Sequence, residues 1–290
     1  MRALIIAILL SGTLLDAADK KAERTFNDAA EELITKIIGL ASKDRAKAYE
    51  EYAKGAQGLA KEYPKEVGPL LMMAEVSGLV KDKKLSTDLA SKAEKGVLAM
   101  LKKNPKNPEI NAALMRIASN AETEKAKLWL KQIAENGPDP EAAQAKGKLW
   151  RLGDPTGKPL HIKFNAIDGK TVDTDKLKGN VVLIDFWATW CGPCVAELPN
   201  VKKTYAKYHE KGFEIIGISL DQSRDKLSKF VEKEKMTWPQ HYDGKGWRNE
   251  FAVKYGIQGI PAMWLINKKG NLVDMKARGG LDEKVEKLLA

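Results

Sequence analysis

From Asp19 to about Leu152 the apolar positions recur at i, i+3 and i+4, the spacing that gathers them on one face of an α-helix. Phe26, Leu33, Ile37 and Leu40 make one such face. Leu70, Met73, Ala74, Val76 and Leu79 make another. Pro64, Asn104-Pro105, Asn107-Pro108 and Gly137-Pro138-Asp139-Pro140 interrupt the pattern where helices are expected to end. These breaks fall at steps of about 33 to 41 residues, a period suited to helix–turn–helix units. Residues 19–153 are therefore predicted to be all-helical. Met72, Met73, Met100 and Met115 sit at helical spacing among other apolar residues and read as core, as do Trp129 and Trp150.

The pattern changes after the turn-rich stretch Gly153-Asp154-Pro155-Thr156-Gly157. Leu160–Phe164 and Lys170–Val172 flank Ile167-Asp168-Gly169, a hairpin signal. Val181–Phe186 and Phe213–Leu220 are continuous apolar, β-rich runs of the kind buried on both faces of a sheet. Ala262–Ile266 and Leu272–Met275 are further strands, around the turn 267–271. Helical segments are predicted from about Cys191 to His209, at Asp225–Lys235, at Trp247–Tyr255 and at Leu281–Leu289. Strands alternating with helices imply an α/β domain over 154–290, with a partly parallel sheet covered on both faces.

The chain of 290 residues is 43 % hydrophobic and 30 % charged, as expected of folded domains with real cores. Its net charge of +10 is spread evenly along both halves. No basic block with interleaved aromatics occurs, so nucleic acid is not an expected partner. Residues 1–18 have the form of a secretory signal: Arg2, the apolar run Ala3–Leu10, and small residues at Ala17-Ala18. That run is shorter than the about 20 residues that span a membrane. Export is expected, with no membrane span once the signal is cleaved, and it would place the chain in an oxidising compartment, most simply a periplasm.

Both cysteines of the protein lie in Trp190-Cys191-Gly192-Pro193-Cys194, at the end of the first long β run. A thiolate, not a thiol, attacks a disulfide, and a free cysteine is only about 3 % ionised at pH 7. At a helix N-terminus, free N–H groups and the helix dipole favour the anion at Cys191. Cys194, one turn on, can resolve a mixed disulfide within the molecule. Gly192 permits the tight turn, and Pro193 in a first helical turn removes no needed hydrogen bond. Asp185 is an acid inside an apolar strand, where a carboxyl tends to have a raised pKa. Glu197 lies one helical turn after Cys194. A zinc site would need further ligands, and only His161, His209 and His241 are available, far off in sequence; no metal is expected.

The segment Asp185-Phe186-Trp187-Ala188-Thr189-Trp190-Cys191-Gly192-Pro193-Cys194 closely resembles the thioredoxin active-site segment. The preceding hairpin with Asp168-Gly169-Lys170 and Leu177-Lys178-Gly179, Glu197, and Tyr255-Gly256-Ile257-Gln258-Gly259-Ile260-Pro261 resemble the TlpA/ResA branch. The resemblance covers about 160–289. It implies a thioredoxin-like fold, a central mixed sheet flanked by helices with an N-terminal β-hairpin, behind the all-α domain. It also implies a redox-active Cys191–Cys194 pair with no other cofactor. In that family Asp185 would accept the Cys194 proton and Glu197 would tune the cysteines. Ile260, ahead of a cis Pro261, would offer its backbone to an extended substrate segment, and Trp190 would flank it. Trp187, Gly192, Pro193 and Pro199 would support the site. Disulfide-containing protein clients and an external electron donor, a membrane thiol carrier, are the expected partners, because the chain has no second dithiol to recharge the first. The Gly-Pro pair resembles that of reducing members.

Two other functions compete. A peroxiredoxin-type peroxidase shares the fold, but its Pro-rich loop and its Thr spacing are absent here. The helical half, which resembles degenerate tetratricopeptide repeats lacking most signature residues, could instead be a partner-binding module with an accessory redox domain.

Overall fold

The computed structural model describes residues 24–290, so the expected signal at 1–18 lies outside the described residues. The chain divides into two compact units, the first ending at Ala142 and the second running Ala143–Ala290.

The first unit is helical: α1 (Phe26–Ala41), α2 (Arg45–Glu62), α3 (Gly68–Ser77), α4 (Lys83–Lys103), α5 (Pro108–Ala118) and α6 (Thr123–Asn136). Thr25, Asp44, Asp82 and Asn107 cap α1, α2, α4 and α5 by accepting free backbone N–H groups, and Thr25 with Asp28 closes a capping box. Successive helices pack as hairpins whose first members start about 40 residues apart. Ala29, Ala30, Ile34 and Ile37 of α1 are buried, as are Ala48, Tyr52, Ala53, Ala56 and Leu59 of α2. Of the two apolar faces expected from periodicity, Ile37, Leu70, Met73 and Val76 are buried. Phe26, Leu33 and Leu40 are half-buried, and Leu79 is 43 % exposed, because α3 ends at Ser77 and the helical period does not reach it. Trp129 is buried in the core with Lys125 over its ring.

The second unit opens with the end of α7 (Asp139–Leu152), which the periodicity alone groups with the helical half, 19–153. From Ala143 onward this helix packs on the sheet domain. Trp150 stacks on Trp264 at 5.7 Å and against Tyr255 at 4.9 Å. Gly147 lets the helix backbone touch that of 253–256: a Cβ on it would lie 1.9 Å from the Val253 carbonyl oxygen.

The hairpin β1 (Lys163–Asn165) and β2 (Thr171–Asp173) forms as predicted. The main sheet has five strands, β3 (Val181–Trp187), β4 (Phe213–Ser219), β5 (Gln240–His241), β6 (Ala262–Ile266) and β7 (Leu272–Asp274), in the order β5-β4-β3-β6-β7. β3 is parallel to β4 and antiparallel to β6. Helices α8 (Gly192–Tyr208), α9 (Arg224–Lys233), α10 (Glu250–Lys254) and α11 (Leu281–Leu289) complete the unit. Val181, Leu183, Ile184 and Phe186 are wholly buried, which is what a run of apolar residues without alternation requires of a central strand. Among the described residues no helix is long and apolar enough to cross a membrane.

Candidate functional site

The carboxyl end of β3 hands the chain to α8 through Ala188, Thr189 and Trp190. Cys191 is the N-cap of α8 and is disulfide-bonded to Cys194, with Cα atoms 5.2 Å apart. Its Sγ accepts the Cys194 N–H at 3.2 Å, and its carbonyl accepts Cys194 N–H and Val195 N–H, both at 3.0 Å. The sulfur thus satisfies one of the free donors that every helix start leaves. Gly192 and Pro193, the first two helical residues, are exposed, whereas Cys191 is 6 % and Cys194 7 % exposed. Pro199 lies inside α8.

Asp185 sits on β3 with Gly217 of β4 and Met263 of β6 as register partners, so neither neighbouring strand sets a charge opposite it. Its Oδ1 is inaccessible and no described group hydrogen-bonds to it. The residue as a whole is only partly buried, and Oδ1 is the carboxyl oxygen shielded from solvent. Burial, and then the negative charge of Glu197, push its pKa up to about 7.

Glu197 is held from two sides. Asn200 donates to its Oε1 at 2.8 Å, and Arg278 Nε donates to its Oε2 at 2.9 Å. Arg278 reaches it from the loop after β7, which is hung on β6 by Ala277 N–H to the Met263 carbonyl. Nothing in the sequence marked Arg278, which is 81 residues from its partner.

Ile260 and Pro261, joined by a cis peptide bond, are half-buried and lead directly into β6, the strand beside Asp185. Trp187 is buried and donates from Nε1 to Gln240 Oε1 at 2.9 Å. Trp190 is 54 % exposed and lies 6.2 Å, ring centre to centre, from the 49 % exposed Trp247.

Sequence reasoning also missed Asp221, a buried acid just past β4. Its carboxylate accepts Thr189 N–H at 3.0 Å, Thr189 Oγ1 at 2.6 Å and Ser219 Oγ at 2.8 Å, which pins the loop ahead of Cys191. The only signal was an acid just past the end of an apolar run, a weaker one than the acid inside a run that marked Asp185. Replacing Asp221 with alanine leaves those donors without their acceptor. Urea unfolding is expected to show a loss of about 2–4 kcal/mol, and an unchanged midpoint would show that the loop holds itself.

A mixed sheet of this order, with a Cys-x-x-Cys pair opening the helix after its central strand, defines a thioredoxin-like redox domain. The Redoxin family model matches residues 155–289. The thiol-disulfide oxidoreductase ResA of Halalkalibacterium halodurans is 32 % identical over 145 residues, 50 % of this chain and 79 % of that protein. The ResA of Oceanobacillus iheyensis is 35 % identical over 130 residues, 44 % of this chain and 66 % of that protein. Among solved structures, the thioredoxin domain of a thiol-disulfide oxidoreductase from Bacteroides vulgatus matches with 33 % identity and a TM-score of 0.43, covering 47 % of this chain and 98 % of that one. The chain belongs, through its second unit, to the ResA family of thiol-disulfide oxidoreductases. It spans 60 to 66 % of the length of the Oceanobacillus relative and of the one from Bacillus thuringiensis subsp. konkukian.

Proposed function

We propose that this protein is an exported, periplasmic thiol–disulfide oxidoreductase that reduces disulfides of client proteins. The observation that carries the reading is the Cys191–Cys194 pair at the N-terminus of α8, reached from the strand that carries Asp185, whose pKa burial brings to about 7. In the reduced protein the Cys191 thiolate, favoured by the helix end, attacks one sulfur of the client disulfide. That S–S bond breaks, the client's other sulfur leaves as a thiolate and takes a proton, and Cys191 is left in a mixed disulfide. The Asp185 carboxylate accepts the Cys194 thiol proton. Cys194 then attacks Cys191 Sγ, and the client's second sulfur leaves as a thiolate and takes the second proton, balanced by the one that Asp185 accepted and gives up again. The client disulfide has gained two electrons and two protons, and the protein is left with the Cys191–Cys194 bond that the structure contains.

Supporting roles follow the same geometry. Glu197, fixed by Arg278, sets the local charge near Asp185. The Ile260 backbone, ahead of Pro261, and Trp190 receive an extended client segment. Trp187, Gly192, Pro193 and Pro199 shape the strand and helix that carry the cysteines. No metal or bound cofactor takes part. With no other thiol in the chain, an outside donor, a membrane thiol carrier, must reduce the pair again.

Reduction of a protein disulfide by the purified, pre-reduced protein tests the reading. Cys191→Ser should abolish it, while Cys194→Ser should accumulate the mixed disulfide, visible as a covalent adduct on a non-reducing gel. Equal rates for wild type and Cys191→Ser would sink the idea.

A further inference from the structure

Of the seven tryptophans, Trp129, Trp187, Trp238 and Trp264 are buried and Trp150 is half-buried. The remaining two, Trp190 and Trp247, are about half exposed; their ring centres lie 6.2 Å apart with planes tilted by 56°, and Trp190 directly precedes Cys191. Large apolar side chains kept in water beside a reactive group mark contact surfaces.

The loop 242–249 is built to hold Trp247 there. Gly244 and Gly246 take positive φ angles of 75° and 56°. Asp243 accepts Lys245 N–H at 3.0 Å and Glu250 N–H at 2.9 Å. Asn249, fully buried, donates to the Ser219 carbonyl and accepts Phe251 N–H and Ala252 N–H. Arg248 N–H and Asn249 N–H close the turn onto the carbonyls of Lys245 and Gly246. A loop fastened at both ends, with its aromatic residue left outside, is pre-organised for a partner.

Two cations flank Trp247 in the chain. Lys245 and Arg248 are exposed and form no ion pair among the described residues. The two acids nearby are engaged elsewhere: Asp243 caps the loop, and Glu250 faces His241 at 3.0 Å.

We propose that Trp190 and Trp247 form a two-ring clamp that seats an apolar or aromatic side chain adjacent to the cysteine of an extended client segment, with Lys245 and Arg248 drawing an acidic residue beside it. This inference rests on the redox reading of Cys191 and Cys194 and names the clients that reading leaves open. A protein segment is the fitting occupant, since the clamp adjoins the cysteine that must reach the client's sulfur, and the exposed Lys245 and Arg248, in no ion pair among the described residues, complement an acidic neighbour.

The test compares two disulfide-linked peptides, one with Phe and Glu next to the cysteine and one with Gly and Lys there, as a ratio of kcat/KM for the full, pre-reduced chain. Wild type is expected to prefer the first by about tenfold, the scale of one aromatic contact plus a charge pair. Trp247→Ala should remove the aromatic share of the ratio and leave the charge share, and Trp247→Phe should keep most of both. Lys245→Glu combined with Arg248→Glu should remove the preference for the acid while leaving that for the aromatic, when the two neighbours are varied separately. A ratio unchanged in Trp247→Ala and in the charge-reversed variant overturns the clamp. So does a wild-type ratio near one. Failure of wild type to reduce either peptide, or hydroxyethyl disulfide, overturns the redox reading instead.

Discussion

Asp185→Asn is expected to slow client turnover at pH 7 by about a hundredfold, and at the same time to make the protein more stable in mild alkali. The first effect follows from proton transfer. In the proposed mechanism Cys194 loses a proton before it attacks the mixed disulfide, and a positioned carboxylate is worth about 10²–10⁴ in such a step. The carboxylate exists above its pKa of about 7, so wild-type turnover should rise as pH climbs through 7. Asparagine cannot accept the proton, and that inflection should disappear.

The second effect has the opposite sign for the same reason. In the unfolded chain the Asp185 carboxyl titrates near 3.8, and in the folded one near 7. Between these values the folded state holds a proton that the unfolded state has released, so stability falls as pH rises through this window. Above pH 7 the full difference, about 4 kcal/mol, weighs against folding. Asparagine removes the charge. A gain of about 2–4 kcal/mol at pH 8 and little at pH 4 is therefore expected, read by urea unfolding at the two pH values. A variant that keeps the wild-type rate profile, or that is no more stable at pH 8, would show that Asp185 is an ordinary hydrogen-bonded acid.

Gly147→Ala is expected to destabilise the second unit by about 3 kcal/mol. Helix propensity alone predicts the reverse, a gain of about 1 kcal/mol for replacing a glycine inside a helix. Packing decides the sign. The added methyl would lie 1.9 Å from the Val253 carbonyl oxygen and 2.9 Å from Gly256 N, both backbone atoms that no rotamer change can move. The helix must tilt away, and the stacking of Trp150 on Trp264 goes with it. Gly58 in α2 is the control, because a Cβ there meets nothing within 4 Å. Gly58→Ala should follow propensity and stabilise the first unit by about 0.5–1 kcal/mol. Thermal unfolding of the two variants separates the explanations, and a gain in both would mean that Gly147 makes no tight contact.

The contrast between the two glycines also marks how far the sequence can be read. Helix α11 and strands β3 and β4 were legible because burial on both faces, or on one helical stripe, writes itself into consecutive residues. The helical turns at 42–44, 78–82 and 119–122 carry no proline, so they escaped a reading built on Pro and Asn-Pro breaks. Strand β5 has two residues, too few to show any period. At the site, Cys191, Cys194, Asp185 and Glu197 lie within one strand–helix unit, and local spacing joins them. Asp221, Trp247 and Arg278 reach the same place through crossovers, from the ends of other strands. Gly147 is the extreme case: within its own helix it looks like a flaw, and its reason lies in a backbone about a hundred residues later.

The sulfur that closes the N-terminus of α8 ties the electron count of the pair to the folding of the helix. A thiolate at the N-cap is a stronger acceptor than a disulfide sulfur, since the bond becomes charge-assisted and the helix dipole acts on a full charge. Unfolding, reduction, refolding and reoxidation form a closed thermodynamic cycle, so whatever free energy the cap adds to the reduced state must reappear as a greater readiness of the disulfide to accept electrons. Helix stability and redox poise are one quantity viewed along two edges of that cycle. A substitution that frays the first turn of α8 would therefore make this protein a stronger reductant.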